Sequence, residues 1–371
     1  MPTKKFVIIG DKLLSSETIS AAIAEHLADD WKITALTFGP DDLGELDSEL
    51  GRMEAGGADA VCAPDEVLEE VRDAQVVLTH MCPINTAVFD AAPQLELVGV
   101  LRGGTENVLV DVASARGIPV LNTVGRTSEA VSDYTVGMML SETRNIARSH
   151  HAVMSGRWEK DFSNSGSIPE FKDLTIGIIG FGEIGRLVQQ KLSGFHCTVL
   201  VYDPFVGPSQ VPEHVRLVSD LDSLLATADV VTIHARHEIG APPILTADKL
   251  ALLKPTSYLI NSARAGLIDM ESLTEALADR RIAGAALDVF EIEPIPPQSP
   301  LLELPNVTLS SHIAFDTAGF YTKSPVLWWE GLNNAVSTMS TRSLVNDQAV
   351  DLEKLRMLNL FDDSSRQTIR L

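Results

Sequence analysis

The chain has 371 residues, more than one hydrophobic core usually supports, and its 45% hydrophobic and 22% charged residues are typical of a globular protein. Its formal net charge of -22 disfavours a nucleic acid or an anionic membrane as a partner, because neither surface attracts an acidic protein. The three cysteines form no CxxC pair, the N-terminal apolar run is too short for a signal peptide, and no apolar run approaches the length of a membrane span. We therefore expect a soluble, cytoplasmic protein of two domains.

The first part of the chain alternates short apolar runs with stretches of helical spacing. The runs are KFVIIG (5–10), ITALTF (33–38), ADAVCA (58–63), QVVLTH (75–80), LELVGVL (95–101) and IPVLNT (118–123). Strands rich in Val, Ile and Leu that alternate with helices are typical of parallel sheets. The pattern predicts one α/β domain.

A single long helical pattern follows over residues 127–156, with Thr127 or Ser128 as its N-cap and Gly156 as its stop. Such a helix would run about 40 Å, long enough to bridge two domains. After a polar stretch at 161–173, a second α/β series contains the runs LTIGIIG, TVLVYD, VVTIHA, SYLINSA, GAALDVF and NVTLSS. Ser324 followed by Pro325 predicts the N-cap of a last helix, and the polar tail beyond about Leu344 shows no regular pattern.

Gly180, Gly182 and Gly185 form a GxGxxG motif between a strand and a probable helix. In that context the first glycine makes a tight turn, the second lets the backbone approach a pyrophosphate, and the third packs helix on strand. Asp203 ends the next strand, 203 − 185 = 18 residues past the last glycine. A carboxylate there binds ribose hydroxyls and repels a 2′-phosphate, so the motif predicts NAD rather than NADP. The alternative is an ordinary glycine-rich turn with Asp203 as a turn residue.

Charged residues follow three successive strands of the second series. Arg264 follows SYLINSA, Asp288, Glu291 and Glu293 lie in GAALDVFEIEP, and His312 follows NVTLSS. Open parallel sheets bind ligands at the edge where strands end. Arginine can grip a carboxylate or polarise a carbonyl, histidine can transfer a proton, and a carboxylate can stabilise the imidazolium. Each residue alone could be structural, but together they suggest reduction of an anionic 2-oxo acid; spacing does not choose between Glu291 and Glu293.

These motifs resemble the D-isomer-specific 2-hydroxyacid dehydrogenases, a family that includes D-3-phosphoglycerate dehydrogenase and glyoxylate/hydroxypyruvate reductase. The resemblance covers roughly residues 60–345 and rests on LVGVLRGGTENVLVDVASARGIPVLNT, TIGIIGFGEIGRLV, LLKPTSYLINSARAGLID, RIAGAALDVFEIEPIPP and LPNVTLSSHIA. It implies two Rossmann-like or flavodoxin-like parallel-sheet α/β domains with an interdomain active-site cleft. It also implies a homodimer, and the short tail leads us to expect no C-terminal regulatory domain.

The resemblance implies a role for each matching residue. Arg264 would be the substrate arginine, Glu293 rather than Glu291 the partner of the histidine, and His312 the acid/base. The backbone of Arg102, Gly103 and Gly104 would hold the substrate carboxylate. The cofactor-binding residues would be Gly180, Gly182, Glu183, Ile184, Gly185, Asp203, Ala263 and Asp288.

The resemblance also implies a discontinuous substrate-binding domain. Its N-terminal part would be residues 1–127, and the C-terminal helix at 317–345 would return to it. Residues 128–316 would form the NAD-binding Rossmann domain with the long interdomain helix, and 346–371 would be a tail.

The chain departs from the family pattern near the expected substrate. Ser311 replaces the usual proline before the catalytic histidine, Arg102 replaces a commonly apolar residue, and Arg126 follows a strand end. One interpretation is an extended anion pocket for a phosphorylated or polyhydroxylated acid. The other is that each arginine pairs with a helix acid such as Glu106 or Glu129.

Two further patterns have simpler interpretations. Trp328 and Trp329 could roof a cleft, but core or dimer packing is the favoured role. The pairs His150–His151 and His234-x-x-His237 lack an accompanying carboxylate or cysteine cluster, so we predict no metal site.

The leading hypothesis is an NAD-dependent oxidoreductase that interconverts a D-2-hydroxy acid and its 2-oxo acid by hydride transfer. The alternative from another class is an NAD(H)-sensing regulatory, corepressor-like protein on the same fold. It predicts nucleotide binding with negligible turnover.

Overall fold

The computed structural model describes residues 4–237 and 241–360, and the chain divides into two compact units. Unit 1 consists of Met1–Arg126 and Ala318–Leu371, and unit 2 of Thr127–Thr317. Each unit contains one sheet in which all strand pairs are parallel, so the predicted α/β class with two parallel sheets is confirmed. Residues 361–371 of the predicted tail lie outside the described residues. No helix in the described ranges is long and apolar enough to cross a membrane.

The N-terminal part of unit 1 forms a five-stranded sheet in the order β2-β1-β3-β4-β5, a flavodoxin-like order. The strands are β1 Lys4–Gly10, β2 Trp31–Thr37, β3 Val76–Thr79, β4 Leu97–Val100 and β5 Val120–Asn122. The helices are α1 Ser16–Ala24, α2 Leu43–Gly56, α3 Asp65–Glu70, α4 Thr86–Ala91 and α5 Val110–Ala115. Along β1, Val7 packs in one core cluster, and Phe6 and Ile8 pack in the other. Both faces of the sheet are therefore covered, which explains the unbroken apolar run from Phe6 to Ile9 in β1.

The apolar run ADAVCA is not a strand, contrary to the expectation from the sequence. It forms a 3-10 turn at Ala58–Ala60. Ala58 and Val61 are buried, but Asn85 Nδ2 donates a 3.0 Å hydrogen bond to the Val61 carbonyl, and Asp59 accepts from the Thr86 backbone. A side chain thus satisfies the Val61 carbonyl that a strand would pair, and alanine and aspartate favour strands weakly.

Unit 2 contains a seven-stranded sheet in the order β12-β11-β10-β9-β6-β7-β8. Its strands are β6 Thr175–Ile179, β7 Thr198–Tyr202, β8 Arg216–Leu217, β9 Val230–Ile233, β10 Tyr258–Asn261, β11 Gly284–Leu287 and β12 Val307–Leu309. Its helices are α6 Ser128–Thr143, α7 Ile146–Met154, α8 Glu183–Leu192, α9 Leu221–Thr227, α10 Ala247–Leu250 and α11 Met270–Ala278. The chain reverses direction across the sheet between β6 and β9, which is where doubly wound sheets bind ligands.

The predicted single helix over 127–156 is wrong, because the chain breaks into α6 and α7. Asn145 adopts a left-handed conformation with φ 59°, and its Nδ2 donates to Asn164 Oδ1 at 2.7 Å. Arg148 reaches back over the break and donates to the Glu142 carbonyl at 3.0 Å. The 16 residues of α6 span about 24 Å instead of the expected 40 Å. Gly156, with φ 75°, follows the end of α7 as predicted.

The last helices, α12 Ser324–Thr338 and α13 Leu352–Met357, belong to unit 1. The predicted N-cap of α12 is one residue late, because Lys323 occupies the cap position and Ser324 is already helical. Ser324 Oγ donates to the Phe320 carbonyl and caps nothing. Trp328 and Trp329 are 0% and 1% exposed, which agrees with the core-packing interpretation.

The tail, expected to lack a regular pattern, is partly folded. Leu344 forms an isolated antiparallel bridge with Leu121, and Leu355, Leu358 and Leu360 are buried in the same core cluster as Trp328. Leu355 stands among charged residues in a helix of only six residues, and Leu358 and Leu360 follow the end of that helix. Such a short pattern carries little helical periodicity, so burial against unit 1 determines this structure.

Candidate active site

The glycine loop lies between β6 and α8. Gly180 has φ 89°, and a Cβ there would lie 2.7 Å from the Ala235 nitrogen. A Cβ on Gly185 would lie 2.2 Å from the Gly180 carbonyl oxygen. A Cβ on Gly182 would meet nothing within 4 Å, so the N-terminus of α8 faces open space. This arrangement fits a pyrophosphate that approaches the backbone at Gly182.

Asp203 follows β7 and is tied to the same loop. Its Oδ2 accepts from the Phe181 N–H at 2.7 Å, and its Oδ1 accepts from the Phe205 N–H at 2.9 Å. Glu183 and Ile184 are the first two residues of α8, and Ile184 packs on the core. The structure therefore brings the predicted acid and the glycine motif together.

Arg264 stands in a loop that the Asn261 side chain holds. Asn261 Oδ1 accepts from the Ala263 N–H at 3.0 Å, and its Nδ2 donates to the Arg264 carbonyl at 2.9 Å. The Arg264 side chain is exposed, and its Nη1 donates to the Ala263 carbonyl at 2.7 Å. In residues 4–237 and 241–360, no carboxylate forms an ion pair with it. The Arg264 guanidinium, carried by a hydrogen-bonded backbone, is thus available to an anionic ligand.

His312 and Glu293 form a hydrogen-bonded pair. His312 Nδ1 lies 2.7 Å from Glu293 Oε2, and Glu293 Oε1 accepts from the Phe290 N–H at 2.8 Å. The side chains are 39% and 35% exposed, and His312 has φ 57°. The choice that spacing left open is made by geometry, because Glu293 and not Glu291 contacts the histidine. Glu293 orients the ring through Nδ1, which leaves Nε2 for another group.

Asp288 has a role that the sequence did not indicate. It is 0% exposed, and its carboxylate accepts from Ser310 Oγ at 2.7 Å, the Ile313 N–H at 3.1 Å and the Ala314 N–H at 2.9 Å. These donors flank His312 on both sides. Asp288 therefore fastens the His312 loop, and its contact with the cofactor stays a prediction.

In unit 1, the loop Arg102–Gly103–Gly104 follows β4. Arg102 Nη2 lies 3.4 Å from Glu54 Oε1 and 3.5 Å from Glu106 Oε2, so this arginine has the acidic partners that one interpretation required. A Cβ on Gly104 would lie 2.3 Å from the Glu106 carboxylate oxygens. A Cβ on Gly103 would come no closer than 4.0 Å to the Thr123 carbonyl oxygen. Only the Gly103 side of the loop is sterically open.

Arg126 has a different environment from Arg102. Its Nη1 donates to the Leu101 carbonyl at 2.8 Å, and its guanidinium lies 4.2 Å from the centroid of the Phe320 ring. Among the described residues no ion pair joins Arg126 to a helix acid, the alternative that the sequence left open, and Glu129 Oε2 lies 2.6 Å from Lys191 Nζ instead. Burial, together with the charge of Arg102, lowers the pKa of Arg126 to about 10, so it stays protonated at neutral pH.

A buried pair, Asp11 and His80, supports this edge of the unit 1 sheet. His80 Nδ1 lies 2.8 Å from Asp11 Oδ2, both side chains are 0% exposed, and His80 Nε2 lies 3.3 Å from Arg126 Nη1. Burial lowers the pKa of His80 below its usual range, although Asp11 opposes the shift. Asp11 directly follows β1 and His80 directly follows β3, and this strand-end signal could have found the pair.

In the part of the chain that the structure describes, no group of three or more His, Cys, Asp or Glu side chains could hold a metal ion. His234 Nε2 bonds Thr232 Oγ1 at 3.0 Å. The prediction of no metal site stays a prediction.

The sequence is similar to known proteins, both in the cofactor region and over most of the chain. A family model described as "D-isomer specific 2-hydroxyacid dehydrogenase, NAD binding domain" matches residues 136–314. A glyoxylate reductase from Thermofilum pendens is 34% identical over 304 residues, which cover 79% of this chain and 88% of that protein. A D-3-phosphoglycerate dehydrogenase from Methanocaldococcus jannaschii is 32% identical over 314 residues, which cover 84% of this chain. The chain spans only 58% of the length of that second relative.

Solved structures share the fold. The NAD-complexed form of a D-isomer specific 2-hydroxyacid dehydrogenase from Lactobacillus delbrueckii ssp. bulgaricus matches with a TM-score of 0.70 at 22% identity. The match covers 92% of this chain and 100% of that chain. It agrees with the two parallel sheets described above.

Taken together, the comparisons confirm the predicted family, the enzyme class and NAD as the cofactor. The NAD(H)-sensing regulatory interpretation has no support among them. The chain belongs to the D-isomer specific 2-hydroxyacid dehydrogenase family, and it is an NAD-dependent enzyme of that family.

Proposed function

We propose that the enzyme interconverts a small anionic 2-oxo acid and its D-2-hydroxy acid, with Arg264, Glu293 and His312 as its catalytic residues. The observation that carries the proposal is the 2.7 Å pair of His312 and Glu293. Arg264 supports it, because its loop and the His312 loop follow strands β10 and β12 of one parallel sheet. The glycine loop follows β6 of that sheet, and parallel strands end at a common edge.

His312 transfers the proton in this proposal. Glu293 holds Nδ1, so Nε2 is the atom that donates a proton to the ketone oxygen during reduction and accepts it during oxidation. The carboxylate of Glu293 stabilises the imidazolium in both directions. Bound NADH supplies the hydride that the reduction requires.

Arg264 binds and polarises the substrate. Its guanidinium is exposed and stays charged, and the Asn261 hydrogen bonds fix the backbone that carries it. A planar fork of donors can contact a carboxylate and a carbonyl oxygen at once. We assign the second contact with the substrate carboxylate to the backbone of the Arg102–Gly103–Gly104 loop.

The residues proposed to hold the cofactor are Gly180, Gly182, Glu183, Ile184, Gly185, Asp203, Ala263 and Asp288. Asp203 supports a preference for NAD over NADP, because a carboxylate at this place repels a 2′-phosphate. Substitution of Asp203 by glycine is expected to reduce that preference.

The finer identity of the substrate is also a proposal. We infer a phosphorylated or polyhydroxylated acid, because two arginines stand near the carboxylate loop. We further propose that the enzyme acts in the cytoplasm as a homodimer. Light scattering after gel filtration would test the dimer.

The test of the catalytic residues follows NADH oxidation against glyoxylate, pyruvate, hydroxypyruvate, its phosphate and sugar-derived acids. His312→Asn is expected to lower kcat by about 10²–10⁴, the usual contribution of a general acid. Glu293→Gln should also lower kcat, whereas the matched control Glu291→Gln should not. Unchanged kcat in His312→Asn, or tight NADH binding without turnover on any acid, would contradict the proposal.

A further inference from the structure

The guanidinium of Arg126 has few partners for a half-buried cation. Its hydrogen bonds to described residues are made through Nη1, to the Leu101 carbonyl and His80 Nε2. No described carboxylate lies within ion-pair distance of it. Its Nε and Nη2 donors make no hydrogen bond within the described ranges, so they are available to a ligand.

The groups around Arg126 do not neutralise it. Asp11 is engaged by His80 and by the backbone N–H groups of Leu13 and Leu14. The face of the guanidinium is covered by the Phe320 ring at 4.2 Å, and the centroid of the Tyr321 ring lies 6.0 Å away. Arg102 is also close enough for its positive charge to disfavour that of Arg126. A second positive charge beside an unpaired one creates a local preference for an anion.

Arg102 adds a second, independent observation. Its side chain is 10% exposed, and its Nη1 atom is buried without a hydrogen-bond partner among the described residues. A buried donor with no acceptor is destabilising, so an acceptor is expected there in the working enzyme. Its Nη2 already faces Glu54 and Glu106, which makes Arg102 the less available of the two arginines.

The place of Arg126 fits the substrate. Nη1 donates to Leu101, which directly precedes the loop proposed to hold the substrate carboxylate. An acid whose carboxylate binds that loop would bring a second anionic group within reach of the free donors. Arginine binds phosphate and carboxylate through two parallel N–H bonds, and polyhydroxylated neutral chains offer no comparable charge.

We propose that Arg126 determines substrate specificity by binding a second anionic group. The preferred substrate is then a dianionic acid, meaning here a 2-oxo or D-2-hydroxy acid with two anionic groups, of which the second is a phosphate or a carboxylate. This inference rests on the proposed function. Arg126 is a specificity residue and takes no part in proton transfer.

The test measures kcat/KM for glyoxylate, 3-phosphohydroxypyruvate and oxaloacetate. Wild type is expected to prefer one of the two dianionic acids, and which one it prefers distinguishes a phosphate from a distal carboxylate. In R126Q, the ratio of kcat/KM for that acid to kcat/KM for glyoxylate should fall at least tenfold, mainly through KM. The matched control is R116Q, which removes a unit 1 arginine paired with Asp90 and should leave the ratio within twofold.

Two further measurements keep the test decisive. If R126Q does not fold, R126K replaces it. In addition, inorganic phosphate is tested as an inhibitor of glyoxylate reduction, and its inhibition constant should be at least fivefold higher for the variant than for wild type. An equal loss for glyoxylate and the dianionic acids, or a wild type without dianion preference, would overturn the inference. Failure of the proposed function would give a different result: H312N would retain turnover, and that outcome does not depend on Arg126.

Discussion

Replacement of Asp288 by asparagine tests how the fold holds the His312 loop. The Asp288 carboxylate is wholly buried and accepts three hydrogen bonds, from Ser310 Oγ, the Ile313 N–H and the Ala314 N–H. Asparagine has nearly the same size, so it leaves no cavity. It replaces one acceptor oxygen by a donor and removes the carboxylate charge, so the change acts on hydrogen bonding and local charge while packing stays the same.

The magnitude follows from the three bonds. The remaining oxygen of asparagine can still accept from Ser310 and Ile313, but its amide N–H would face the Ala314 N–H. Loss of a hydrogen bond to a charged group costs about 1.5–3 kcal/mol, and a buried donor left unpaired adds to it. We expect the free energy of unfolding to fall by about 2–4 kcal/mol. If displacement of His312 raises the activation free energy by about 2 kcal/mol of this amount, kcat falls about 30-fold.

The assay combines urea unfolding, steady-state kinetics and NADH fluorescence titration of D288N. Ser310→Ala is the comparison variant, because it removes one hydrogen bond to the carboxylate and leaves the two backbone bonds in place; it should lower the free energy of unfolding by about 1.5–3 kcal/mol and leave the Ala314 N–H paired. A role through the loop predicts a lower kcat with little change in the NADH dissociation constant. A direct cofactor contact predicts weaker NADH binding as well. Wild-type kcat together with a wild-type urea midpoint would refute the reasoning.

Three other perturbations have outcomes set by the structure. Gly180→Ala should lower the free energy of unfolding by about 2–4 kcal/mol, because Gly180 has φ 89° and no room for a Cβ. Gly182→Ala should keep the wild-type melting temperature but bind NADH at least tenfold more weakly. Equal effects of the two substitutions would contradict this prediction. In urea unfolding, Leu355→Ala should lower the free energy of unfolding by about 2–5 kcal/mol, whereas substitution of the exposed Met357 by alanine should leave it almost unchanged. Equal stability of the two variants would show that the tail is not part of the core. Burial lowers the pKa of His234 to about 3, so the stability that its neutral form contributes above the ordinary value of 6.5 is lost as the pH falls from 6.5 towards 3. Over that range the free energy of unfolding of His234→Gln should therefore fall by roughly 2–5 kcal/mol less than that of wild type. Parallel stability profiles would count against a neutral, half-buried histidine at this position.

Much of the site could be predicted from short stretches of sequence. The GxGxxG motif and Asp203 are signals contained in one βαβ unit, and their chemistry depends on local backbone geometry. Arg264 and His312 follow apolar strands, and parallel strands must end at a shared edge. These predictions needed only the order of strands and residues along the chain.

Contacts between distant side chains could not be predicted in this way. Asp11 and His80 are 69 residues apart; both follow strand ends, but spacing along the chain does not give the 2.8 Å contact between their side chains. One interpretation of the sequence paired Arg102 or Arg126 with a helix acid such as Glu106 or Glu129, yet the Glu129 carboxylate pairs with Lys191. Partner choice depends on which surfaces the packed core brings within about 4 Å, and sequence spacing does not contain that distance.

The sequence by itself determined the α/β class, the parallel sheets, the cofactor loop and the candidate catalytic residues, because apolar periodicity and glycine sterics act over a few residues. Tertiary structure alone decided the break at Asn145, the burial of the Leu355 helix and the use of Asp288 to hold the His312 loop. It also selected Glu293 over Glu291 by residue contacts, although the motif resemblance had implied the same choice. In each of these cases the deciding free energy comes from burial or from a hydrogen bond between segments that only the folded chain places together.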